Sequence, residues 1–98
     1  MLAAKRTVWE VASDVREIVH KLDLPRFYPS VDVICFVGLQ SVQLEVKSPH
    51  KKQRDTLINT ILARLKEKYE DWHDFYEVRY EKELAIIILG GENLQGMI

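Results

Sequence analysis

The chain holds one cysteine, Cys35, so no intrachain disulfide braces it and its stability has to come from packing. That cysteine sits in an apolar run, where a free thiol behaves as a small hydrophobe. Long apolar runs are missing as well. The longest stretch without a charged residue is Val33 to Leu44, and LAIIILGG near the carboxy end is shorter still, whereas a helix crossing a hydrocarbon layer needs about 20 residues. MLAAKRTVWE has no apolar stretch of signal-peptide length before charge returns, so the expectation is a cytoplasmic protein with no membrane partner. Catalytic and cofactor signatures are absent too. There is no Walker A loop, no GxGxxG, HExxH or GxSxG, and no cysteine pair at zinc spacing, so nothing in the sequence supports an enzyme or calls for a cofactor.

What is present is enough for one small globular domain. Of 98 residues 47% are hydrophobic, too many for a disordered chain, and 30% are charged, too many for a membrane protein. We expect a single α+β domain over residues 1–91 and a short mobile tail over 92–98, where glycines and ENLQGMI follow the last apolar run. Formal net charge is −1, made of +3 over residues 1–54 and −4 over 55–98. A folded surface interleaves the two halves, so the contrast carries little by itself.

TVWEVASDVREIVHKLDL repeats its apolar residues at helical spacing, from Val8 through Val11, Ala12, Val15 and Ile18 to Leu22. Thr7 with Glu10 three residues on reads as a capping box, and Pro25 reads as the stop. VDVICFVGLQSVQLEVK reads as two strands. The first is apolar on both faces, which suggests a central position; the second alternates Val42, Leu44 and Val46 against Gln43 and Glu45, which suggests an edge. A second helix follows with Ser48 as its cap and Pro49 at its first position, and with Leu57, Ile58, Ile61, Leu62, Leu65 and Tyr69 as its core stripe. Two more strands, FYEVRY and LAIIILGG, close the domain across EK at 81–82, a tight connection that lacks the usual glycine.

The order is therefore α-β-β-α-β-β, a two-layer sandwich with two helices on one face of a four-stranded sheet. Numbering the strands in chain order, two arrangements compete. The order 3-4-2-1 resembles a circularly permuted ferredoxin-like fold; the order 2-1-4-3 puts the doubly apolar strands in the centre and is preferred on burial pattern.

Three features carry functional weight. VKSPHKKQRD gathers Lys47, Ser48, His50, Lys51, Lys52 and Arg54 where the second helix begins, although cations there oppose the helix dipole. Free N–H groups and these side chains together suit a phosphate, and the residues point in different directions, as an extended DNA or RNA backbone would require. The plain alternative is a solvated, solubilising surface. Second, the two doubly apolar strands must show one set of side chains on the helix-free face, and Ile34, Phe36, Ala85, Ile87 and Leu89 are read as the interface of a homodimer. Third, Asp71, His73 and Asp74 in EDWHDFYE could gather round a divalent ion, but they match no ligand-spacing template, and a polar helix end is the preferred reading. Tyr76 and Tyr80 share a face with Val78 and are read as packing residues rather than as a platform for bases. The function expected is thus a small non-catalytic accessory protein touching nucleic-acid phosphates through the basic helix start. The alternative is a homodimeric interaction or assembly module with no nucleic-acid role.

Overall fold

The computed structural model describes residues 6–39, 41–69, 76–90 and 94–95. Its elements in chain order are β1 (Arg6–Thr7), α1 (Val8–Lys21), α2 (Leu24–Phe27), β2 (Asp32–Val37), β3 (Ser41–Lys47), α3 (Lys51–Lys68), β4 (Tyr76–Glu81), β5 (Leu84–Gly90) and β6 (Leu94–Gln95). Among the described residues no helix is long and apolar enough to cross a membrane.

Local chemistry sets the helix ends. Thr7 caps α1, its hydroxyl accepting from the Glu10 N–H at 3.1 Å. The helix stops at Lys21 rather than at Pro25. Asp23 follows in the left-handed region at φ 50°, and Pro25 instead lies in the first turn of α2, a short helix additional to the two expected, where proline costs no hydrogen bond. At α3 the expected cap moves by two residues. His50 is the N-cap without a side-chain bond, while the Ser48 hydroxyl accepts from the His50 N–H at 3.1 Å and shapes the approach to the helix.

Four strands form an antiparallel sheet in the order β2-β3-β5-β4, which is the permuted ferredoxin-like order and not the preferred 2-1-4-3. The doubly apolar β2 lies at an edge, and the alternating β3 lies in the centre. The reason is physical. Alternation reports one wet face, and every strand of a two-layer sandwich has one wherever no helix covers it. β1 and β6 form a separate two-residue parallel pair, Arg6 opposite Leu94 and Thr7 opposite Gln95. Of the expected tail, only Leu94–Gln95 falls within the described residues.

The core fills the space between helices and sheet. Val8, Val11 and Val15 of α1 and Leu57, Ile58 and Ile61 of α3 are fully buried against Val42, Leu44, Val46, Ala85, Ile87 and Leu89. This corrects half of the expected dimer surface. Ala85, Ile87 and Leu89 pair across the sheet with Val46, Leu44 and Val42 and lie under the helices, so they cannot meet a second copy. Ile34 and Phe36 do lie on the helix-free face, 54% and 47% exposed, and the β5 residues that share that face, across the polar side chains of β3, are Leu84, Ile86 and Ile88. The two helices are tied at one end by Tyr69, whose hydroxyl donates to Asp14 Oδ2 at 2.7 Å, and by Lys68, whose Nζ stands 3.2 Å from Asp14 Oδ1.

Candidate functional site

The basic segment comes apart once folded. Lys47, His50, Lys51 and Lys52 are exposed, and none of them forms an ion pair among the described residues. Ser48 is fully buried. Its N–H donates to the Glu83 carbonyl at 3.0 Å and its hydroxyl is occupied by His50, so it cannot hold a phosphate. Arg54 is 4% exposed and leaves the site as well. Its guanidinium donates to the Lys82 carbonyl, pairs with Asp55 at 2.9 Å and stands 5.3 Å from the centre of the Tyr80 ring. Lys51 stands four residues before Asp55, the spacing of a helical ion pair, yet Arg54 takes that partner.

Arg54 thereby has a structural task that its place in a charge run concealed. The β4–β5 connection turns on Lys82 and Glu83, with Lys82 at φ 50°, a conformation that costs a side-chain-bearing residue about 1 kcal/mol. Arg54 holds the Lys82 carbonyl and Ser48 holds the Glu83 carbonyl, so the turn is pinned to the start of α3 from both sides. The signal was present in the sequence. Arg54 lies three, four, seven and eleven residues before Leu57, Ile58, Ile61 and Leu65, on the apolar stripe of the helix.

The helix-free face is the second candidate. Cross-strand register groups its side chains into rows: Asp32, Lys47, Leu84 and Glu81; then Ile34, Glu45, Ile86 and Arg79; then Phe36, Gln43, Ile88 and Glu77. β2 and β5 thus run as apolar columns that alternate with the polar columns of β3 and β4. An open depression of about 830 Å³ lies over the first two rows, walled by Asp32, Glu45, Glu81 and Glu83 with Lys47 and Lys82. Tyr76, Val78 and Tyr80 are on the other side of the sheet, since their partners Leu89, Ile87 and Ala85 are core residues. The open face therefore presents no tyrosine pair for bases to stack on.

A third feature went unseen in the sequence, because it needs α1 and β2 side by side. Arg16 and His20 of α1 overhang Val33 and Cys35 of β2, enclosing a groove of about 430 Å³. Burial pushes the Cys35 thiol above its ordinary value, and the Arg16 guanidinium beside it opposes that shift only in part. Cys35 should therefore react with iodoacetamide several-fold more slowly than a free thiol at neutral pH, and Arg16→Gln should slow it further, measured as alkylation rate against pH. An unchanged rate in Arg16→Gln would mean that the guanidinium does not stabilise the thiolate.

Asp71, His73 and Asp74 lie outside the described residues. Among the described residues no three His, Cys, Asp or Glu side chains gather as metal ligands. No protein-family model and no curated protein matches this chain.

Proposed function

We propose that the chain is a protein-interaction module that assembles as a homodimer through the helix-free face of its sheet. The observation that carries this reading is the pattern of that face. Ile34 and Phe36 are about half exposed, Leu84, Ile86 and Ile88 are only partly covered, and among the described residues no helix packs there. Two partly exposed apolar columns on one open face, set apart only by the polar column of β3, mark an association site.

The charges around it are self-complementary. A twofold axis across the strands, passing between the Leu84 and Ile86 rows, keeps each strand over its own copy and exchanges the two rows. Lys47 then faces the second copy's Glu45, and Arg79 faces its Glu81, each pair twice, while Leu84 faces Ile86. Like charges do not meet between these rows. A stable pairing of this kind buries about 800 Å² on each partner. Ile86→Lys tests it, since the new charge enters the interface of the dimer yet meets water in the monomer. A wild-type chain of monomer mass in light scattering at micromolar concentration would refute the reading.

A second reading keeps the nucleic-acid contact and rests on Lys47, His50, Lys51 and Lys52, all exposed at one corner without carboxylate partners among the described residues. In it the four side chains meet consecutive phosphates without reading sequence. Replacing Lys47, Lys51 and Lys52 by Gln should weaken a mobility shift on mixed DNA and RNA and flatten its salt slope by about one unit per lost phosphate contact. Identical binding by the triple variant would remove this reading.

A further inference from the structure

The two edges of the sheet are built differently. β4 carries Glu77, Arg79 and Glu81 on its open side, the charged pattern that protects an edge from pairing. β2 carries one charge, Asp32 at its start, and five apolar residues after it. Its backbone is also free to pair. The Gly38 N–H donates to the Ser41 carbonyl at 2.7 Å, and antiparallel hydrogen bonding alternates from there. Phe36, Ile34 and Asp32 therefore exchange bonds with β3, while the N–H and C=O groups of Val33, Cys35 and Val37 point outward. Among the described residues they meet no other strand.

Beside this edge on the helix side lies the groove with Arg16 and His20 above it, both exposed and neither ion-paired among the described residues. Trp9, seven residues before Arg16 and so on the same line of α1, is 56% exposed.

From this we infer that the β2 edge takes an extended peptide segment as a fifth strand, with a carboxylate on the helix side of that segment held by Arg16 and His20. The inference rests on the interaction-module reading and names its partner. Outward groups of Val33, Cys35 and Val37 supply the backbone ladder, the usual source of affinity in strand addition. The segment's side chains alternate. Those toward the open face lie beside Ile34 and Phe36 and are apolar; the one opposite Cys35 enters the groove and is acidic, because Arg16 and His20 stand exposed there with no carboxylate partner among the described residues. A second copy of β2 fits less well. Pairing about a twofold at Cys35 would set Arg16 against the second copy's Arg16, where an acidic strand sets a carboxylate.

The probe is the capped peptide Thr-Val-Thr-Val-Glu-Val-Thr-Val-Thr, titrated against the full chain by fluorescence anisotropy. It should bind about tenfold more tightly than the same peptide with central Lys, the factor that corresponds to about 1.4 kcal/mol. Arg16→Gln with His20→Gln, both at exposed positions, should bring the two peptides to nearly equal affinity. Methylating a backbone nitrogen that faces β2 should abolish binding without touching the protein. Cys35→Pro should do the same from the other side, since it removes an outward N–H and leaves the β2–β3 ladder intact. Equal binding of the Glu and Lys peptides by the wild type, or indifference to backbone methylation, would overturn the inference. So would self-association that Cys35→Pro dissolves and Ile86→Lys does not, because the edge would then belong to a second copy. Failure of the peptide with an intact face-to-face dimer retires the edge inference alone; a monomer that binds the peptide retires the homodimer and leaves the edge standing.

Discussion

Ile87→Lys should leave no folded protein, while its neighbour Ile86→Lys should still fold and melt cooperatively, below the wild type by what the lost dimer contributed. The side chains are adjacent in sequence and opposite in space. Ile87 is fully buried beneath the helices, paired with Leu44, and Ile86 lies on the open face beside Glu45 and Arg79. Lysine at 87 loses the packing of a core isoleucine, about 2–5 kcal/mol, and sets an ammonium among the apolar side chains of the core. That is comparable to the whole stability of a small domain, about 5–15 kcal/mol. At 86 the same ammonium reaches water and lies next to Glu45, so the cost to the monomer should stay below about 1 kcal/mol. Far-ultraviolet circular dichroism through a thermal ramp separates the two. A cooperative, wild-type-like melt for Ile87→Lys would mean that the sheet faces are assigned the wrong way round.

Removing the Arg54 side chain should be the most damaging change of a charged residue near the start of α3. Arg54→Ala deletes the donor to the Lys82 carbonyl, the 2.9 Å pair with Asp55 and the cation over Tyr80. Asp55 is about half exposed and recovers water, so the loss falls below that of a fully buried pair, at about 2–4 kcal/mol. For a domain of this size that lowers the melting midpoint by about 10–25 °C. Arg54→Met should cost less, because it keeps the volume and loses only the polar contacts. Lys51→Ala and Lys52→Ala should stay within about 0.5 kcal/mol of wild type. Equal, small effects at all three positions would mean that Arg54 is a surface residue like its neighbours.

How much of this was legible in the sequence depends on how local the determining physics is. The capping of α1 by Thr7 and the stripe of α3 are settled within one or two turns of chain, and both are as expected. The strands were found with the right side-chain periods, and their order is one of the two arrangements left in competition, though not the one preferred on burial pattern. DVICFV looks central because both its faces are apolar, and only pairing across the sheet shows that its open side stays exposed at an edge. Sheet-face assignment failed for a related reason. Ala85, Ile87 and Leu89 differ from Leu84, Ile86 and Ile88 by one step of register, and both triplets are apolar, so hydrophobicity cannot say which turns inward. Arg54 was hidden by its neighbours, whose charges made a run of what is one structural arginine beside exposed lysines. The groove under Arg16 and His20 joins residues from α1 and β2, and no spacing rule reaches across that gap.

Light scattering of the full chain at micromolar concentration, with Ile86→Lys run beside it, bears most directly on the homodimer. The expected result is twice the chain mass for the wild type and a single chain mass for Ile86→Lys at unchanged circular dichroism. A wild type of single chain mass, or a dimer that Ile86→Lys leaves intact, would contradict assembly through the helix-free face.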